Sequence, residues 1–163
     1  MTPRVQLIRS RRAARQFLAR IYPNGAPAPD WRTVALDTEF AEEDAAPNSV
    51  ANERRTHVAY MQLSRGSERV VIEGPLASAS RGKKLDLLKL FRKWLRDTRV
   101  KKVISTTRAD ARVLRRAGYG EPRGFVMDTE VMDWLYDENR MHHGLKECAR
   151  DHVGLFMRSY ADT

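Results

Sequence analysis

Residues 32–40 read Arg32-Thr33-Val34-Ala35-Leu36-Asp37-Thr38-Glu39-Phe40. Thr33 to Phe40 is expected to form the first central β-strand, with the apolar run ahead of Asp37 buried. On a strand, residues i and i+2 point to one face, so Asp37 and Glu39 share a side. Paired carboxylates at the open end of a core strand are costly unless something positive lies between them. A divalent cation is the natural partner for such a pair. The competing reading, from these residues alone, is a pair of solvated acids at a strand edge.

A third acid supports the metal reading. Val100-Lys101-Lys102-Val103-Ile104-Ser105 reads as another strand, and Ala109 to about Ala117 as the helix after it, ended by Gly118. Asp110 falls in the first turn of that helix, where the helix dipole by itself favours an acid. If the two strands are neighbours, Asp37, Glu39 and Asp110 converge. Mg²⁺ or Mn²⁺ takes such oxygen ligands and keeps positions open for water and phosphate. Two ions about 3.5–4 Å apart can stabilise both oxygens of a phosphodiester displacement. Such sites usually use four acids.

The remaining elements set the fold class. Val5–Ile8 is expected as an edge strand, and Arg11 to about Ile21 as a helix capped by Ser10. Residues 23–29 are rich in Pro, Gly and Asn and read as a connector. Ala41 to Arg55 reads as a loop. His57–Ser64 and Arg69–Glu73 are expected strands joined by the Arg65-Gly66-Ser67 turn. Lys84 to about Asp97 is an expected amphipathic helix with Leu85, Leu88, Phe91 and Leu95 on one face. Phe125–Met127 is expected as a fifth, short strand, and Thr129–Tyr136 and Gly144 to about Val153 as helices. A strand meander followed by alternating helices and strands predicts an α/β fold, a mixed central sheet flanked by helices. Sites in such sheets form at strand carboxyl ends, where Asp37 and Glu39 lie. The expected division is a strand, helix and linker over 1–29 and one main domain over 30–163.

Composition narrows the partners. The chain has 163 residues, 42% hydrophobic and 31% charged, as expected of one soluble domain. No apolar run is long enough to span a bilayer, and the first residues lack a secretory h-region. One cysteine, Cys148, excludes an intramolecular disulfide and a cysteine-rich zinc site, so a cytoplasmic setting is expected. Thirty basic against 21 acidic residues give a net charge of +9. Such a balance suits a nucleic-acid partner; an Arg-rich, high-GC genome accounts for it equally well.

In their combined order these motifs resemble the DnaQ-like (DEDD) 3′–5′ exonucleases. Val34-Ala35-Leu36-Asp37-Thr38-Glu39-Phe40 resembles the first motif, and His57 to Glu73 the two strands that follow. Lys102 to Leu114, with Asp110, resembles the second motif. Asp128-Thr129-Glu130, Trp134 to Arg140 and His143-Gly144-Leu145-Lys146 resemble the proofreading domains of family A DNA polymerases, phage enzymes included. The resemblance spans about residues 30–160. It implies a ribonuclease H-like fold, with Asp37, Glu39 and Asp110 as catalytic metal ligands for two Mg²⁺ or Mn²⁺ ions. It implies hydrolysis of single-stranded DNA 3′ ends to nucleoside 5′-monophosphates, as the proofreading part of a polymerase. Thr38, Phe40, Thr106, Arg108 and His143 are candidate substrate contacts, with Lys101 and Arg112 as further basic candidates. A ribonuclease D-like exoribonuclease and a catalytically degenerate nucleic-acid-binding module are the alternatives.

Two departures stand out. Ser105-Thr106 occupies the place of the polymerase-type His-Asn pair. The third motif, Tyr-x-x-x-Asp, is absent: Asp37 and Asp110 are 73 residues apart, and an equal step beyond Asp110 passes Thr163. Tyr160-Ala161-Asp162 has the residue types at the wrong spacing. Glu147 and Asp151 read as solvent-facing charges. The expectation is therefore a fragment, or a chain whose polymerase domain or partner supplies the fourth acid. His142-His143 is read as structural or substrate-adjacent, Asp128 as a helix N-cap, Cys148 as a buried apolar residue, and Trp31, Trp94 and Trp134 as core or boundary residues.

Overall fold

The computed structural model describes residues 4–43, 55–82 and 85–156. Six strands form one mixed sheet: β1 (Arg4–Ile8), β2 (Thr33–Glu43), β3 (Arg55–Arg65), β4 (Glu68–Glu73), β5 (Lys101–Ile104) and β6 (Phe125–Asp128). Their spatial order is β1-β4-β3-β2-β5-β6. β2, β3 and β4 are the antiparallel meander, while β1, β5 and β6 join in parallel. The helices are α1 (Arg11–Ile21), α2 (Pro75–Ser80), α3 (Arg92–Arg96), α4 (Thr107–Arg116), α5 (Thr129–Tyr136) and α6 (Leu145–Val153). This is the α/β class expected, a mixed sheet flanked by helices. Among the described residues no helix is long and apolar enough to cross a membrane.

The period-2 alternation of β2 sorts the sheet into two faces. Val34, Leu36 and Thr38 are buried, together with Met61 and Leu63 of β3, Val70 and Ile72 of β4 and Ile104 of β5. Phe17 and Ile21 of α1, Trp94 and Leu95 of α3, and Val113 and Leu114 of α4 complete that core. Fully burying each such side chain contributes about 1.5–3 kcal/mol. Phe17 meets Trp31 edge-on at 5.3 Å, so α1 packs against the turn that leads into β2. Ser10 caps α1, its hydroxyl accepting from the Ala13 N–H at 3.2 Å. The opposite face carries Ala35, Asp37, Glu39, Gln62, Ser64, Arg69, Val71 and Val103, none of them fully buried.

Three elements differ from expectation. The single helix over Lys84–Asp97 is instead a 3₁₀ turn, Leu88–Phe91, running into the short α3; Lys84 lies outside the described residues. Leu87, Leu88, Phe91, Trp94 and Leu95 are all fully buried, more apolar surface than one helical stripe turns inward. The tighter winding eclipses i and i+3, bringing Leu88, Phe91 and Trp94 into line. Helix α2 carries no amphipathic pattern to announce it. It starts with Pro75 at its first position, after Gly74, whose N–H donates to the Ala59 carbonyl at 2.7 Å. A Cβ on Gly74 would lie 2.3 Å from the Val58 carbonyl oxygen, so only glycine fits there. Finally, β2 and β3 pair on through Ala41↔His57, Glu42↔Thr56 and Glu43↔Arg55. Cross-strand pairing carries the ladder into the stretch read as loop; residues 44–54 of that stretch, and Tyr160 and Asp162, lie outside the described residues.

Candidate active site

Beside the acids the β2–β3 ladder is irregular. Glu39 pairs with Tyr60 and Phe40 with Val58, so Ala59 is skipped as a bulge. Bulges re-aim neighbouring side chains and recur next to active sites. Asp37 lies opposite Gln62 in the register. The Gln62 amide Nε2 donates to Glu39 Oε1 at 3.1 Å and, more weakly, to Asp37 Oδ2 at 3.4 Å. One neutral donor thus orients both carboxylates without neutralising either.

The third acid arrives from α4. β5 lies parallel to β2, with Ala35 beside Val103, so the chain leaving β5 enters α4 next to the end of the acid-bearing strand. Thr38 points to the covered side, is 6% exposed, and its hydroxyl donates to Asp110 Oδ1. Asp110 is itself 6% exposed. Burial pushes the Asp110 carboxyl up to about 6; the Thr38 hydroxyl pulls against this and the Asp37 charge adds to it. Desolvation and the neighbouring Glu39 charge likewise raise Asp37.

A cavity of about 890 Å³ opens over these groups. Asp37, Thr38, Glu39, Phe40, Thr106 and Asp110 all line it, so the structure brings together six of the residues singled out in the sequence. The start of α6, Gly144 to Glu147, forms another wall. Among the described residues, however, no group of three or more His, Cys, Asp or Glu side chains stands closely enough to hold a metal ion. The reason lies in the strand: Asp37 and Glu39 leave on the open face, whereas Asp110 is held by Thr38 on the covered face. In chemistry the set still fits a hard divalent cation. It offers the carboxylate oxygens of Asp37, Glu39 and Asp110; at Asp37 and Asp110 burial and a neighbouring charge raise the cost of ionisation, and a cation would relieve that cost.

The other predicted contacts fall elsewhere. Arg108, Lys101 and Arg112 are exposed and do not line the cavity. The Thr106 hydroxyl donates to Glu130 Oε2 at 2.7 Å, and the Thr107 N–H to Asp128 Oδ2 at 2.7 Å. Asp128 also caps α5, its Oδ1 accepting from the N–H groups of Glu130 and Val131 at 3.1 and 3.2 Å. His143 Nδ1 lies 2.8 Å from Asp133, behind the cavity wall. Asp133 is 4% exposed and also receives His152 Nε2 at 2.5 Å and Arg140 Nη1 at 2.6 Å. An ionised carboxylate only accepts, so both imidazoles donate to it. Cys148 is buried, its thiol 3.3 Å from the His143 carbonyl oxygen; Trp31 and Trp94 are core, and Trp134 is half exposed. Sequence reasoning missed Gln62 and the Asp133 cluster. The signal for Gln62 was available, since it shares the period-2 face of its strand with Ser64, but only the register sets it opposite Asp37.

Comparison with known proteins agrees with this fold. No curated protein sequence matches the chain. Among solved structures, Escherichia coli RNase D, an exoribonuclease involved in structured RNA processing, superposes with a TM-score of 0.69 at 16% identity, over 98% of this chain and 36% of that one. Brucella melitensis NrnC with bound Mg²⁺ gives 0.59 at 24% identity, over 98% of this chain and 65% of that one. NrnC bound to pGG gives 0.56 at 25% identity, over 80% and 58%. The chain thus spans between 36% and 65% of the length of these proteins. The fold is the ribonuclease H-like fold of such exonucleases. Residues 11–161 match the family model described as 3′–5′ exonuclease. With nearly its whole length inside that match, and with this sheet, the chain belongs to the 3′–5′ exonuclease family of DnaQ-like (DEDD) type.

Proposed function

We propose that the chain is a metal-dependent 3′–5′ exonuclease domain that removes nucleoside 5′-monophosphates from single-stranded nucleic-acid ends. The observation that carries this reading is the Thr38–Asp110 hydrogen bond, which ties the strand-end acids to the α4 acid at one cavity. Asp37, Glu39 and Asp110 are the residues to hold Mg²⁺ or Mn²⁺. When bound, the ions supply charge against the phosphodiester and activate water. The chain's own side chains do the positioning. Gln62 orients Glu39 and Asp37, Thr38 orients Asp110, and Phe40, 39% exposed at the cavity, offers a ring against a terminal base. The fourth carboxylate that two-ion sites ordinarily use is proposed to come from a further segment or a partner chain.

Two substrates are supported by different observations. RNA is supported by the likeness to RNase D and to NrnC bound to pGG. DNA, in proofreading beside a family A polymerase domain, is supported by the motif resemblance over Asp128–Glu130 and His143–Lys146. The test offers 5′-labelled RNA and DNA strands of one sequence to the protein with Mg²⁺ or Mn²⁺. Stepwise release from the 3′ end is expected, falling about a hundredfold or more in Asp37→Ala. The preferred strand identifies the substrate. No release with either ion, together with strand binding indifferent to Asp37→Ala and to chelator, would instead make the chain a binding module.

A further inference from the structure

A second concave surface lies at the far end of the central strands. Asp110 follows β5, whereas Asp97, Thr98 and Arg99 precede it, so the strand's length, about 13 Å, separates the two regions. There a cleft of about 570 Å³ is lined by Tyr22, Arg92, Lys93, Arg96, Asp97, Thr98, Arg99 and Arg123. These residues come from the end of α1, from α3, and from the loops before β5 and β6. Five cations therefore face one carboxylate.

That carboxylate is already occupied. Arg99 holds Asp97 through Nη2 at 2.6 Å and Nε at 3.0 Å, and the Tyr22 hydroxyl donates to it at 2.6 Å. The Arg99 hydrogen bonds keep its carboxyl well below the usual range. Arg92, Lys93, Arg96 and Arg123 are exposed and have no ion-pair partner among the described residues. Helix polarity does not account for them. Lys93 and Arg96 complement the C-terminus of α3, but a helix end amounts to about half a charge, far less than four free cations.

A buried cation bound to the backbone of two cleft residues reinforces its sign. Lys102 is fully buried, and its ammonium donates to the carbonyl oxygens of Arg123 at 2.7 Å, Val100 at 3.0 Å and Asp97 at 3.3 Å. Two of these carbonyls belong to cleft residues and are drawn inward, away from any anion above. Burial lowers the Lys102 pKa to about 8, which leaves most of its charge in place at neutral pH.

We propose that this cleft is a phosphate-binding site for the backbone of a polynucleotide strand, remote from the 3′ end at the acids. The inference rests on the nucleic-acid reading only in its choice of polyanion. The strand's length exceeds the reach of one internucleotide step, roughly 3.4 Å when stacked and about twice that when extended, so a dinucleotide engaged at the acids does not reach the cleft. Guanidinium groups suit phosphate by bidentate donation.

The test measures binding without hydrolysis, in chelator, by anisotropy of a labelled 20-nucleotide oligouridylate over a salt series. Arg92→Ala/Arg96→Ala/Arg123→Ala is compared with a control that loses the same charge from α1, Arg11→Ala/Arg12→Ala/Arg15→Ala. Expected are a loss of about tenfold or more in 20-mer affinity, a salt slope shallower by about 2, and unchanged binding of a labelled dinucleotide. The proposal is overturned if the cleft variant binds the 20-mer as wild type does, if the control loses as much, or if the dinucleotide loses equally. It is also overturned if inorganic phosphate binds wild type more tightly than the 20-mer does and loses that binding in the variant, since the cleft then serves a small anion. Hydrolysis plays no part in this readout, so failure of the exonuclease reading leaves it interpretable.

Discussion

Asp110 is a carboxyl placed where water barely reaches it, with Asp37 close enough to oppose its ionisation. Its folded-state pKa, about 6, lies above the ordinary value of 3.8. A raised acid binds a proton more readily in the folded chain than in the unfolded one. Its contribution to stability is therefore full below about pH 4 and is lost as pH rises through 6. At neutral pH the ionised group costs the metal-free protein about 3 kcal/mol. Asp110→Asn keeps an acceptor for the Thr38 hydroxyl and removes the charge. It is expected to raise metal-free stability at pH 7.5 by about that amount, to leave it nearly unchanged at pH 4, and to abolish activity. Denaturant titrations of both proteins at the two pH values check this; a difference that does not vary with pH would refute the assignment. Asp110 was legible in the sequence as an acid after a strand. Its elevated proton affinity was not, because burial and the approach of Asp37 are set by packing.

At the scale of elements, α5 and α6 are joined by one buried carboxylate. Hydrogen bonds from His152 and His143 and the charge of Arg140 outweigh desolvation and hold the Asp133 carboxyl at about 2. Removing it strands three donors. Asp133→Ala is expected to destabilise the α5–α6 region locally, because removing one partner of an ion-pair cluster leaves the others uncompensated. Hydrogen exchange should show the amides of Leu145–Val153 losing protection while those of β2 and β3 keep theirs. Uniform loss, or none, would show that the cluster does not clasp α6. Because the start of α6 walls the cavity, KM should rise more than kcat falls. The sequence pattern placed α1 and α5 within their observed bounds. It failed over Lys84–Asp97, where five buried apolar side chains demanded a tighter winding, and it passed over α2, whose small residues carry no stripe to read.

For the whole molecule, the sheet divides an apolar face, packed by α1, α3 and α4, from a face that presents Asp37, Glu39 and Gln62. A ligand that binds only the folded chain stabilises it by mass action. Mg²⁺ or Mn²⁺ at a hundredfold over its dissociation constant is worth about 2.7 kcal/mol, a rise of about 5–10 °C in Tm for a chain of this size. Thermal melts with and without the ion should show that rise in wild type and lose it in Asp37→Ala. An equal rise in both would place the ion elsewhere. Local sequence determined the strand that carries Asp37 and Glu39, their shared face, and the helix that carries Asp110, because periods of 2 and 3.6 residues are written in neighbouring side chains. Only the tertiary structure decided that Gln62, 25 residues from Asp37, bridges the acid pair, and that Thr38 claims Asp110 across 72 residues. It alone gathered Arg92, Arg96 and Arg123 into one cleft. Strand order and register fix those meetings, and they depend on how the whole chain buries its apolar face.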